Sequence, residues 1–139
     1  MRLIADSSSI ISALIKDSSS RKIINKSSLR FIIPEYIFTE IDEHKEDILS
    51  KSKMDRNKLD LMFSMIKEKV EIIPESEIKH RDEAKEIMDK IDPDDTIFVA
   101  LGLSIKNNGI WSDDKHFEKQ DRIKVWKTKD LIEYIKSPD

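Results

Sequence analysis

Four carboxylates stand where this chain can do chemistry: Asp6, Glu40, Asp95 and Asp114. Asp6 directly follows the short apolar run Leu3-Ile4-Ala5, and Asp114 closes Ile110-Trp111-Ser112-Asp113-Asp114, so both acids lie just past a strand-like segment. Asp95 begins the first turn of the most apolar helical stretch, residues 96–105. Glu40 borders a helical stripe of Ile37, Ile41, His44 and Ile48. Carboxylates sharing one cleft drive each other's pKa values up unless a cation compensates. With no Cys and no paired His, an all-oxygen donor set favours hard Mg²⁺ or Mn²⁺ over zinc. Such a cation activates water and neutralises charge on a phosphodiester, so the chemistry expected is metal-assisted phosphodiester hydrolysis. Ser112 precedes the last acids and is placed to orient a metal-bound water or a phosphate; it has no histidine partner of a spacing that suits acyl transfer.

Each acid also has a purely structural reading. Asp6 before three serines suits a helix cap. In Asp92-Pro93-Asp94-Asp95, Asp92 fits an N-cap, Pro93 the first helical position, and the two later acids complement the helix dipole. Glu40 belongs to the acidic run Glu40, Asp42, Glu43, Glu46 and Asp47, which equally describes a solvated face. Asp113-Asp114 suits a turn followed by a cap. The functional reading comes from joint placement at one edge of a sheet, because ligands of open α/β sheets bind beyond the carboxyl ends of the strands. His44 reads as a boundary residue of its helix. Trp111 and Trp126 read as core, with base stacking a lesser role.

The elements that must position these residues follow from hydrophobic periodicity. Short β-runs are expected at residues 3–5, 31–33, 70–73, 110–111 and 123–126. Between them, helices are expected after Asp6, within 16–30, from Pro34 through Ile48, at 55–69, 76–90, 96–105, 114–119 and 128–136. Pro34 is expected at a first helical position, and Asn107-Asn108-Gly109 as a helix stop. Strands alternating with helices predict a three-layer α/β/α sandwich around a central, mostly parallel sheet, with residues 1–139 as a single domain.

Composition narrows the classes. A chain of 139 residues with 38% apolar and 38% charged residues, two Gly and four Pro describes a helix-rich globule and excludes collagen-like or linker architectures. Zero cysteines exclude a disulfide scaffold, a thiolate metal site and a cysteine nucleophile. No apolar run approaches the roughly 18 residues of a spanning helix, and the opening apolar stretch is too short for a signal peptide, so a cytoplasmic chain without membrane contact is expected. The formal net charge of −3 does not by itself announce a nucleic-acid binder. Local charge is more informative. Lys16, Arg21, Lys22, Lys26 and Arg30 face only Asp17 in their segment, and Lys115, Lys119, Arg122, Lys124, Lys127 and Lys129 follow Asp114. Basic flanks beside an acidic metal pocket suit a polyanion steered by its phosphates.

Four segments, taken in order, resemble the motifs of the PIN-domain family over essentially the whole chain. LIADSSSIISALI resembles the first strand, first acid and following helix. PEYIFTEIDEH resembles the second-acid helix with Glu40 in the acid's place. DDTIFVALGL aligns Asp95, and WSDDKHF aligns Ser112, Asp114 and Phe117. The resemblance implies a Mg²⁺- or Mn²⁺-dependent ribonuclease in which Asp6, Glu40, Asp95 and Asp114 hold the metal ions. A metal-bound water would attack phosphorus and leave 5′-phosphate and 3′-hydroxyl ends on the RNA. It also implies the toxin role of many small members, with an antitoxin protein as partner, and a homodimer. Two positions depart from the pattern: His116 stands where Asp is frequent, which would weaken or retune a second metal site, and Gly102 where Ala is frequent. The alternative reading keeps the fold as a non-catalytic module that binds RNA or protein. A receiver-type phosphoacceptor ranks last, because the strand-end acid here is on the first strand.

Overall fold

A computed structural model describes residues 1–15 and 19–136. Five strands, β1 (Arg2–Ala5), β2 (Arg30–Pro34), β3 (Val70–Ile73), β4 (Ile110–Trp111) and β5 (Val125–Trp126), form one sheet in the order β3-β2-β1-β4-β5. Every pairing is parallel, so the expected mostly parallel sheet is parallel throughout the described residues.

Parallel strands are stable when both faces are covered, and the alternation of side chains along β1 shows how this is met. Leu3 and Ala5 join Phe31, Ile33 and Trp111 on one face; Ile4 joins Ile32 and Ile110 on the other. The first face is covered by α1 (Ser7–Ile15), α2 (Ser19–Ile24), α3 (Ile37–Glu43), α4 (Lys45–Ser52), α5 (Arg56–Lys67) and α8 (Thr128–Lys136), which contribute Ile10, Leu14, Ile23, Ile41, Ile48, Leu59 and Leu131 to the core. The second is covered by α6 (Arg81–Met88) and α7 (Thr96–Ser104), through Ala84, Met88 and the fully buried run Phe98-Val99-Ala100-Leu101. The result is the three-layer α/β/α sandwich. Gly102 keeps α7 close to the sheet: a Cβ there would stand 2.8 Å from Ile123 Cδ1 and 3.1 Å from Ile4 Cδ1.

Three local expectations are corrected. Pro34 does not open a helix but ends β2 opposite Ile73, and the N–H of Glu35 donates to the Ile73 carbonyl at 3.0 Å. At a strand end the missing N–H of proline removes no ladder bond. The helix expected through Ile48 is divided into α3 and α4 by His44 (φ −104°, ψ 12°), although Ile37, Ile41 and Ile48 remain buried on one side. The helix expected over 76–90 becomes a 3₁₀ turn, Glu75–Glu77, followed by α6, with His80 between them at φ 60°. The Lys79 N–H donates to Ser104 Oγ at 2.7 Å, a bond to α7 that holds this loop open and leaves no trace in local periodicity.

Gly109 controls the entry to β4. Its φ is +129°, its carbonyl accepts from Ile4 N–H at 2.9 Å, and an added Cβ would lie 2.4 Å from the Lys124 carbonyl oxygen. Backbone in this region is adopted by glycine at little cost and by other residues at about 1–3 kcal/mol, before any clash is counted. Gly109→Ala is therefore expected to lower the melting temperature by at least about 5 °C. An unchanged thermal unfolding midpoint would contradict this account of β4.

Candidate metal centre

The strand order reverses direction between β1 and β4, and the crevice beyond their carboxyl ends is where such a sheet offers a binding site. Asp6 leaves β1 as the N-cap of α1: its carbonyl accepts from Ile10 N–H at 3.3 Å, and its Oδ1 accepts from Ser9 N–H at 2.9 Å. Its Oδ2 accepts from Ser112 Oγ, and the residue is 3% exposed. Ser112, fully buried at the end of β4, also accepts the Asp114 N–H at 3.0 Å on the same hydroxyl. One hydroxyl thus fixes the acids of β1 and β4 relative to each other. Asp114 Oδ1 caps the following 3₁₀ helix, Lys115–Lys119, by accepting from His116 N–H at 2.9 Å.

Asp95 ends a 3₁₀ turn, Pro93–Asp95, and stands immediately before α7. Asp92 caps that turn, its Oδ1 accepting from Asp94 N–H at 3.0 Å, as its sequence context suggests. Asp95 makes no side-chain cap bond, and its Oδ2 is buried with no hydrogen-bond partner among the described residues. His116 Nδ1 is likewise buried without a hydrogen bond, although it stands 3.0 Å from Asp92 Oδ2, 3.1 Å from Asp114 Oδ1 and 3.8 Å from Asp95 Oδ2. Donor atoms of Asp92, Asp95 and His116 all lie within 4.8 Å of one another. Glu40 reaches the same edge from α3, where its Oε1 accepts from Ser7 Oγ at 2.7 Å beside Asp6.

Thus Asp6, Asp95, Asp114 and Ser112 come together, with Glu40 attached through Ser7. Neighbouring acids are separated by role. Asp113 turns away, its two oxygens accepting from Thr128 N–H at 2.8 Å and Thr128 Oγ1 at 2.6 Å to start α8. Sequence reasoning gave Asp92 only a capping role and assigned nothing to Ser7 or Ser9. The signal for Asp92 was its spacing: residues three apart lie over one another in a 3₁₀ turn, so Asp92 and Asp95 share a side. His44 is exposed at the junction of α3 and α4, and it is not among the clustered donors.

The basic segments are placed differently from expectation. α1 carries the chain from the carboxyl edge back to the amino edge, so the basic segment beyond it is remote from Asp6. The Arg21 guanidinium closes the far end of α1, donating to Ala13 O at 2.9 Å and Leu14 O at 3.2 Å, and Arg30 starts β2 opposite Arg2. Lys16 and Asp17 lie outside the described residues. In the later segment Arg122 pairs with Glu83 at 2.5 Å, Lys127 with Glu118 at 2.6 Å, and Lys124 covers the Trp126 ring. Lys115 is exposed immediately beside Asp114.

The electrostatics match the crowding. Burial, and then the charges of Asp92, Asp114 and Asp6, push the Asp95 carboxyl up to about 7. Burial also raises Asp6, against the hydrogen bonds from Ser112 and Ser9 that favour its charged form, and Asp114 adds to the rise. Glu40 is raised by burial, with the Ser7 hydroxyl bond opposing. Two orphaned donor atoms in a cluster of this charge fit a divalent cation, which satisfies their lone pairs and removes the mutual repulsion.

A family model described as the PIN domain matches residues 4–136. The chain belongs to the PIN-domain family. PIN domains are generally nucleases that typically use divalent metals, and the carboxylate cluster of this PIN domain is compatible with that chemistry. A comparison with curated proteins gives no match. No described helix of this PIN domain is long and apolar enough to cross a membrane.

The raised Asp95 gives a signed expectation. Its folded pKa of about 7 exceeds the ordinary 3.8, so the folded form retains a proton that the unfolded chain releases. The associated stability is present below pH 3.8 and is lost as pH rises through about 7. In chelator, wild-type protein is expected to lose melting temperature relative to Asp95→Asn across that window, and Mn²⁺ to recover the loss. Parallel pH profiles for the two proteins would refute the assignment.

Proposed function

We propose that this PIN domain is a divalent-metal-dependent endoribonuclease that hydrolyses RNA phosphodiester bonds, with residues 1–139 acting as one catalytic unit. The observation that carries this reading is the convergence of Asp6, Asp95 and Asp114 on one edge, with Asp95 Oδ2 buried and without a hydrogen-bond partner among the described residues. Asp6, Glu40, Asp95 and Asp114 would hold Mg²⁺ or Mn²⁺. A cation held there neutralises phosphate charge and lowers the pKa of water at neutral pH.

The chain's own groups set up that arrangement. Ser112 holds the Asp6 carboxylate and the Asp114 backbone N–H on one hydroxyl, which ties the end of β1 to the turn after β4. The Ser9 N–H at the start of α1 opposes the rise that burial imposes on the Asp6 carboxyl, and Ser7 orients Glu40. Lys115 on the rim meets a phosphate of the incoming strand. An adjoining open cavity of about 410 Å³ is lined by Tyr36, Arg81, Pro93 and Ile97 together with the acids Glu75 and Asp94, and Tyr36 gives it an aromatic wall on which a neighbouring nucleobase would stack. In the full form of the proposal the enzyme acts in the cytoplasm as a homodimeric toxin that an antitoxin protein holds inactive. The second reading, a non-catalytic RNA- or protein-binding module, is favoured by one observation, the imidazole of His116 among the acids where the family frequently has Asp.

The test is cleavage of single-stranded and structured RNA with Mn²⁺ or Mg²⁺. Products with 5′-phosphate and 3′-hydroxyl ends are expected, with a loss of at least about 100-fold in Asp95→Asn and Asp6→Asn at unchanged fold. Equal cleavage in EDTA would overturn the proposal. Salt-sensitive RNA binding without cleavage under any divalent cation would select the module reading.

A further inference from the structure

His116 gives the cluster a nitrogen donor that an all-carboxylate site lacks. Its Nδ1 has Asp92 Oδ2 at 3.0 Å, Asp114 Oδ1 at 3.1 Å and Asp95 Oδ2 at 3.8 Å, yet none lies in line with the ring for a hydrogen bond. Adjacent ligands around an octahedral ion with bonds of about 2.1 Å stand about 3.0 Å apart, and opposite ones about 4.2 Å. The spacings around Nδ1 fall within that range. Asp92 and Asp114 each spend Oδ1 on a backbone cap, and Asp92 keeps Oδ2 for the cluster. The His116 side chain is partly exposed, but its Nδ1 is buried against the acids.

We infer that His116 Nδ1, with Asp92 and Asp95, forms a mixed nitrogen–oxygen site, flanked by Asp114, selective for first-row transition cations of the Mn²⁺ type over Mg²⁺. Imidazole nitrogen suits transition ions, whereas Mg²⁺ prefers oxygen donors and retains its water, so replacing an oxygen by a nitrogen tilts affinity along the Mn²⁺-to-Zn²⁺ series. The inference rests on the metal-dependent reading above but needs no RNA for its test.

Chelator-stripped protein is titrated calorimetrically with Mn²⁺ and with Mg²⁺, and the Mn²⁺ complex is studied by pulsed electron paramagnetic resonance for coupling to a ¹⁴N nucleus. Mn²⁺ is expected to bind at least about 100-fold more tightly than Mg²⁺, with a nitrogen coupling that His116→Gln removes. His116→Asp, which restores oxygen donation, is expected to cut the Mn²⁺/Mg²⁺ preference by at least about tenfold. A Mn²⁺ complex without nitrogen coupling, or a preference unchanged in His116→Asp, overturns the inference; the spectrum of the wild-type protein decides even if a variant fails to fold. Nitrogen coupling without RNA cleavage would leave this site standing and remove the nuclease reading. Equal cleavage with both metals and no coupling would do the reverse.

Discussion

Negative charge confined to one edge of a parallel sheet is the constraint on which the rest of this molecule depends. Asp6, Asp92 and Asp114 each begin a helical segment, and each accepts a backbone N–H there, from Ser9, Asp94 and His116 respectively. Free N–H groups and the dipole at a helix start favour carboxylates, which lets the fold gather them in a half-buried cleft. Asp95, before α7, has no such bond, and burial with the neighbouring acids lifts its carboxyl to about 7. Capping anchors the charge without neutralising it, so a cation is the completing partner that the electrostatics call for.

The scaffold keeps that charge in register. β1 and β4 pair directly, Ala5 opposite Trp111, so the residues after them emerge side by side. Ser112 then joins Asp6 to Asp114, and Ser9 Oγ donates to the Trp111 carbonyl at 3.1 Å, tying α1 to the same strand. α7 is held by burial of Phe98 through Leu101 and by the absence of a side chain at Gly102, which sets the depth of Asp95. The site is therefore positioned by core packing on both faces of the sheet. Its geometry should be as rigid as that packing.

Much of this was legible in the residues. Short continuous apolar runs gave the strands, Asp92-Pro93 gave a real cap, and the apolar body of α7 marked a helix pressed on the sheet. What the sequence hid were events decided across space. The break at His80 goes with a hydrogen bond from Lys79 to Ser104, and the fate of Pro34 depends on its strand partner Ile73. The position of the first basic segment was misjudged because nearness in sequence to Asp6 ignored the length of α1, which returns the chain to the opposite edge. Within the site, Asp92 was read as a cap alone and Ser7 and Ser9 were given no role, because their residue types fit ordinary capping and turn positions.

Those ordinary roles turn out to be part of the answer. Capping and ligation look like rival explanations for an acid at a helix start, yet a carboxylate has two oxygens with two lone pairs each. Asp92 caps with Oδ1 while Oδ2 faces His116 at 3.0 Å, and Asp114 likewise caps with Oδ1. The contrast is Asp113, whose two oxygens are both spent on Thr128 at the start of α8. What separates Asp92 and Asp114 from Asp113 is thus the oxygen left over after the cap is made, whereas Asp6, with both oxygens in hydrogen bonds, is marked by its place beside Asp95 and Asp114. That difference is fixed by tertiary partners such as Thr128 and Ser112, and for this reason two adjacent aspartates with the same local context can have opposite roles.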